Sequence, residues 1–168
     1  PIYTKKGIVN MRENDRKNAV QRGNFDPHTV FSQILAGELP AEFLYKDDLV
    51  TAFMDIQPIT AGHTLVIPNI PAVGLSDLPP ETGAQMFKIG QKIAEAIKAS
   101  SLPSEGINLF LADGIAAGQT VFHVHLHVFP RFEKDGFRWR LPDRYFTPPT
   151  RQELRETKDA IVATLSPR

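Results

Sequence analysis

The chain contains no cysteine. That removes disulfides, cysteine-ligated zinc and thiol nucleophiles, and it leaves the redox compartment open, because a protein without thiols is indifferent to it. Net charge is missing as well. Nineteen Lys and Arg balance 19 Asp and Glu, so no global field recruits nucleic acid or an anionic membrane. No apolar run approaches the length of a bilayer span, and the first residues lack the apolar core of a signal peptide. A cytoplasmic protein that contacts neither membrane nor nucleic acid is the expectation. At 168 residues the chain is long enough to bury one ordinary core.

Residues 1–24 are polar, with Lys5, Lys6, Arg12, Arg16, Lys17 and Arg22 against Glu13 and Asp15, and are expected to form a flexible extension. The folded domain is expected over 25–168. Asp26 or Thr29 can cap a short helix with Val30, Phe31, Ile34 and Leu35 on its apolar side, ended by Gly37. Glu42 to Lys46 and Leu49 to Asp55 read as a hairpin of two strands, and His63 to Pro68 as a buried third. Pro79 and Pro80 suit a helix start, with Ser76 or Asp77 as cap, and Met86, Ile89, Ile93 and Ile97 carry the helical period to about Ser100. Ile107 to Ala112 is a fourth strand. From about residue 132 the texture changes to an aromatic, Arg- and Pro-rich tail. Thr150-Arg151-Gln152-Glu153 then forms a capping box for a last helix to about Leu165, with Leu154, Ile161, Val162 and Leu165 as its apolar residues. The fold class is α+β: about five mostly antiparallel strands, one long helix and a C-terminal helix.

Three of the five histidines fall within one pentapeptide, His123-Val124-His125-Leu126-His127. Alternation with period two marks a strand with unlike faces. The imidazoles point one way; Phe122, Val124, Leu126 and Val128 point the other, into a core. Just before them lies a loop, Asp113 to Gln119, that holds Gly114 and Gly118.

What can such a row do? Same-face neighbours on a strand are about 6.6 Å apart, while a zinc–nitrogen bond is about 2.0–2.1 Å. The two ends of the row cannot converge on one ion without strain, and only His63 and His28 remain as further imidazoles. Nucleophilic catalysis fits better, since imidazole is near neutral at physiological pH and its two nitrogens can play different roles. Flanking imidazoles and the Gly118-Gln119-Thr120 turn offer many donors, which suits an electrophile rich in oxygens, such as a phosphate.

His123-x-His125-x-His127 after Gly118-Gln119-Thr120 resembles the signature of the histidine triad family of nucleotide hydrolases and transferases. Phe53-Met54-Asp55-Ile56-x-Pro58 and Gly62-His63-Thr64-Leu65-Val66-Ile67-Pro68 resemble that family's second block, and Ile34 to Ala41 its opening helix and turn. The resemblance spans about Phe31 to Arg131 and leaves the first 24 residues and the tail outside it.

It implies a histidine triad fold and a homodimer. It implies that His125 attacks the α-phosphate of a purine nucleoside phosphoramidate, forming a nucleotidyl-histidine that water resolves to a nucleoside monophosphate such as AMP. His123 and His127 would orient His125 and touch phosphate oxygens, with His63 behind them. Gln119 and Thr120 would bind phosphate and assist the leaving group. Asp55 would take the ribose hydroxyls, and Phe31, Phe53 and Ile56 would line an apolar base pocket that separates adenine from guanine poorly. Alternatives are a dinucleoside polyphosphate as substrate, or a nucleotide-binding module without turnover.

Two positions depart from the pattern. Some members carry a zinc-binding Cys-x-x-Cys where Thr29 and Ser32 stand here, so neither structural metal nor any other cofactor is expected. Ala112 replaces an amide side chain often found before the triad. In the tail, Phe137, Arg138, Trp139, Arg140, Arg144 and Tyr145 either reach an active site across a dimer or pack on the domain's own surface, and His28 is expected on the surface.

Overall fold

The computed structural model describes residues 29–165. The expected extension over 1–24, the Asp26 cap and His28 lie outside the described residues. The chain divides into two compact units, one ending at Asp135 and the other beginning at Gly136.

The first element among the described residues is helix α1 (Val30–Leu35), whose N-cap is Thr29: the Ser32 N–H donates to Thr29 Oγ1 at 3.1 Å. Gly37, at φ +77°, follows its C-cap Ala36. Strands β1 (Phe43–Lys46), β2 (Val50–Met54) and β3 (Thr64–Pro68) make an antiparallel meander. Helix α2 (Pro80–Ala99) follows, then β4 (Gly106–Leu111) and β5 (Leu126–Arg131). The sheet order is β1-β2-β3-β5-β4, antiparallel throughout. Among the described residues no helix is long and apolar enough to cross a membrane.

The expected caps of the long helix are elsewhere. Ser76 and Asp77 belong to a short 3₁₀ turn, Leu75–Asp77, while Pro79 is the N-cap of α2 and Pro80 its first residue. Proline is at home there, because the first helical N–H has no partner to lose and φ is already set.

Period-two alternation sorts the sheet into two faces. Val50, Ala52, Val66, Val124, Leu126 and Val128 pack on Met86, Ile89, Ile93 and Ile97 of α2. On the opposite face Phe53, Leu65 and Ile67 pack on Phe31 and Ile34 of α1. Covered on both sides, β2 and β3 read as continuous apolar runs, which is why β3 shows no polar alternation. The long helix approaches the sheet at Gly90, where a Cβ would stand 2.8 Å from Leu126 Cδ2.

The second unit holds a 3₁₀ turn (Asp143–Phe146) and helix α3 (Arg151–Val162), three residues shorter than expected at its C-terminus. The capping box forms as the sequence indicates: Thr150 Oγ1 accepts from the Glu153 N–H and the Glu153 carboxylate accepts from the Thr150 N–H. No residue of α3 is buried; Leu154, Ile161 and Val162, and Leu165 beyond it, are exposed. Phe137 and Trp139 meet edge to face at 5.3 Å between ring centres.

Candidate active site

The triad straddles the start of a strand. The strand expected through all three histidines begins only at Leu126, so His123 and His125 precede it and only His127 is within it. Opposite them the partner strand reaches Pro68, which has no N–H to donate to a ladder. The entering segment bonds past the strand end instead. The Val124 N–H donates to the Ala72 carbonyl at 2.7 Å, and the His123 ring donates from Nε2 to the Pro68 carbonyl at 2.9 Å. The expected division of faces holds for Val124, Leu126 and Val128, which go into the core under α2, but not for Phe122, expected with them yet only half-buried and outside it. His123 and His125 face Phe31 of α1, at 6.0 and 5.2 Å between ring centres.

Hydrogen-bond partners fix the protonation of each ring. His125 Nδ1 lies 2.7 Å from the His123 carbonyl, which can only accept, so Nδ1 carries the proton and Nε2 the lone pair. The Ile59 N–H donates to His63 Nδ1 at 3.2 Å, which places the His63 proton on Nε2. His63 Nε2 in turn lies 2.9 Å from His127 Nδ1, so His127 accepts there and carries its own proton on Nε2. Burial pushes all four histidines below the ordinary imidazole pKa, His127 to about 3, with His125 and His63 adding to the effect on it. The site therefore holds neutral imidazoles at neutral pH, one of them with an in-plane lone pair on Nε2.

Asp55 ends β2 one residue beyond the ladder. Its Oδ1 accepts from the Gln57 N–H at 2.8 Å, and its Oδ2 stands 3.4 Å from His63 Nδ1. Asp55, His63 and His127 have donor atoms close enough to suggest a metal site. Yet His63 aims one nitrogen at Ile59 and the other at His127, and lone pairs on those two nitrogens diverge. An ion would have to displace both hydrogen bonds, so the donor set fits poorly. Thr29 and Ser32 are likewise committed to the cap of α1, where the Ser32 hydroxyl also donates to the Thr29 carbonyl at 2.8 Å.

In the loop before the triad, the amide expected at the phosphate is bonded to backbone. Gln119 does not extend a free amide toward a phosphate: it is 4% exposed, and its side chain accepts from the Gly114 N–H and donates to the Val73 and Val121 carbonyls. Thr120 beside it is exposed, and its hydroxyl has no partner among the described residues. Ala112 is buried at 2% exposure and supplies no donor.

The expected base-pocket residues separate. Phe31 and Phe53 meet edge to face at 5.6 Å and are buried together, whereas Ile56 stands 86% exposed on the loop after β2. The sequence reading missed Phe110, which is paired with His127 across β4 and β5 and lies 5.6 Å from its ring. It also missed the Ile59 N–H and the Pro68 carbonyl that bond the His63 and His123 rings, and the Ala72 carbonyl that takes the Val124 N–H between the histidines. Phe110 could have been found from the strand period; the backbone groups carry no side-chain signal at all.

Residues 36–134 match the HIT domain family. A HIT-like protein of Mycobacterium tuberculosis is 52% identical over 101 residues, 60% of this chain and 69% of that protein. The purine nucleoside phosphoramidase of Escherichia coli K12 is 37% identical over 103 residues, covering 60% of this chain and 84% of its own. A crystal structure of a HIT family protein from Bacillus anthracis superposes with a TM-score of 0.77 at 35% identity, over 84% of this chain and all of that one. With the domain matched over more than half the chain, and the neutral triad in place at the mouth of β5, this chain belongs to the HIT family of nucleotide-binding hydrolases.

Proposed function

We propose that this chain hydrolyses purine nucleoside phosphoramidates at the α-phosphate through a nucleotidyl intermediate on His125. The observation that carries the reading is the His125 ring itself, buried, neutral, and held by the His123 carbonyl with its Nε2 lone pair available. The likeness to the E. coli phosphoramidase supports the substrate class.

In the first step Nε2 bonds to phosphorus and the P–N bond breaks; the amine leaves, its nitrogen taking a proton from solvent. The positive charge this puts on the His125 ring is shared with the His123 carbonyl through Nδ1–H. Water then attacks phosphorus, the bond to Nε2 breaks, and a nucleoside monophosphate such as AMP departs as the water's proton returns to solvent. His127 offers Nε2–H, and Thr120 its hydroxyl, to phosphate oxygens; His123 holds His125. Asp55 accepts the ribose hydroxyls, and Ile56, exposed on the loop after β2, offers the base an apolar contact, while Phe31 and Phe53 stay in the core beneath the site. No metal takes part, and the chain acts in the cytoplasm as a homodimer.

The test is a rapid-quench reaction with an adenosine phosphoramidate and with diadenosine tetraphosphate, each with EDTA, read by intact mass. An adduct of AMP mass that is absent in His125→Ala is expected, with the phosphoramidate faster. No turnover of either, with AMP still bound, overturns the enzyme reading in favour of a binding module; loss of activity to EDTA overturns the metal-free chemistry.

A further inference from the structure

Gln119 is the one polar side chain of the loop that is almost wholly buried, at 4% exposure. A carboxamide offers one accepting oxygen and two N–H donors, and each of the three finds a backbone partner here. The Gly114 N–H donates to Gln119 Oε1 at 2.8 Å, while Gln119 Nε2 donates to the Val73 carbonyl at 2.7 Å and to the Val121 carbonyl at 3.1 Å. The main chain repeats the closure, since the Gln119 N–H donates to the Gly114 carbonyl at 3.1 Å.

These bonds do two things. The pair between Gly114 and Gln119 shuts the loop into a ring whose turns need left-handed backbone at both ends, and Gly114 at φ +88° and Gly118 at φ +93° supply it. The bonds to Val73 and Val121 fasten that ring to the segment after β3 and bridge across Thr120, which is exposed and whose hydroxyl has no partner among the described residues. The same segment after β3 receives the Val124 N–H through Ala72. One amide thus joins the loop to the chain that aims His123 and His125.

We infer that Gln119 is a positioning residue: its carboxamide sets the Gly114–Val121 loop so that the Thr120 hydroxyl is aimed at the reacting phosphate, and it does not bind phosphate itself. The inference rests on the reading of this site as a nucleotidyl-transferring one.

The full-length chain is tested with Gln119→Ala, Gln119→Glu, Thr120→Val and the Gln119→Ala/Thr120→Val pair. Amide hydrogen exchange at Gly114, without any ligand, is expected to quicken at least about tenfold in Gln119→Ala while β3 amides keep their rates. In single-turnover nucleotidylation by an adenosine phosphoramidate, Gln119→Ala and Thr120→Val are expected to lose similar factors. The pair should be no more than about twofold worse than the weaker single, because both remove the same contribution. AMP affinity should stay within about threefold. Gln119→Glu keeps the acceptor for Gly114 but presents an acceptor to two carbonyls, so its rate relative to wild type should recover on acidification as the introduced carboxyl gains a proton.

Multiplying losses in the pair, or AMP affinity falling in step with the rate in Gln119→Ala, would make Gln119 a phosphate ligand and overturn the inference. Unchanged Gly114 exchange would overturn it as well. A wild-type chain that forms no adduct defeats the functional reading alone, since the exchange experiment still decides what the amide holds.

Discussion

His63 Nε2 and His127 Nδ1 face each other at 2.9 Å, joining β3's entry to the start of β5 across the site. The Ile59 N–H behind His63 leaves only one neutral arrangement, with the His127 proton on Nε2. His63→Phe keeps a flat ring and removes the donor. Turnover of an adenosine phosphoramidate should then fall by roughly fivefold to a hundredfold, matching the ~1–3 kcal/mol of one unsatisfied buried acceptor. AMP binding, measured calorimetrically, should change far less. Equal losses in binding and turnover would mean that His63 supports the pocket rather than the ring beyond it.

Burial keeps His125 below the ordinary imidazole value, opposed by its bond to the His123 carbonyl and by Asp55. Only the neutral ring can attack phosphorus, so the acid limb of kcat/KM should lie below about pH 6.5. An acid limb above that value contradicts a neutral buried nucleophile.

Stability should follow the same sign. The unfolded chain's histidines take up protons near pH 6.5, whereas the folded ones resist, His127 down to about 3. Between those values the unfolded state binds more protons, so stability is full above the unfolded pKa and declines as pH falls. Tm should drop steadily from pH 7 to pH 4, and the slope should lessen in His127→Gln.

Asp55 lends one oxygen to the Gln57 N–H and has the other 3.4 Å from His63. Asp55→Asn keeps the shape and the first bond but loses the charge. AMP affinity should weaken by the ~1–3 kcal/mol of a charged hydrogen bond, while affinity for the 2′,3′-dideoxy analogue should be the same in both proteins. A parallel loss for both ligands rules out a ribose role.

Gly90 gives α2 its close approach to β5, with Leu126, Leu109 and Val128 all within 3.5 Å of where a Cβ would sit. Gly90→Ala gains helix propensity but overfills the core, and a net loss of about 1 kcal/mol or more is expected. Because Leu126 lies between His125 and His127, turnover should fall with it. Thermal melts and single-turnover rates on the same variant check both.

Much of this was legible in local pattern. The alternation around His123, His125 and His127 sends Val124, Leu126 and Val128 into the core as expected, and the capping box at Thr150 and the helical period from Met86 to Ile97 mark helices that form. Local pattern failed where a distant backbone decides. The start of β5 depends on Pro68 having no N–H to offer, and the fate of Gln119 on carbonyls that no side-chain spacing announces. Ile56 and Phe53 look alike as apolar residues flanking Asp55, yet one is 86% exposed and the other 2%.

The sequence by itself determined the element types, the two faces of the sheet and the set of residues available for chemistry, because periodicity and capping are written between neighbours along the chain. Only the tertiary structure decided which nitrogen of each imidazole carries the proton and that Gln119 holds a loop. Those outcomes hang on partners 64 residues away for His63 and His127, 55 for His123 and Pro68, and 46 for Gln119 and Val73. A hydrogen bond needs its two atoms within about 3 Å in the right direction, and that condition is met by packing the sheet, not by any spacing within one strand.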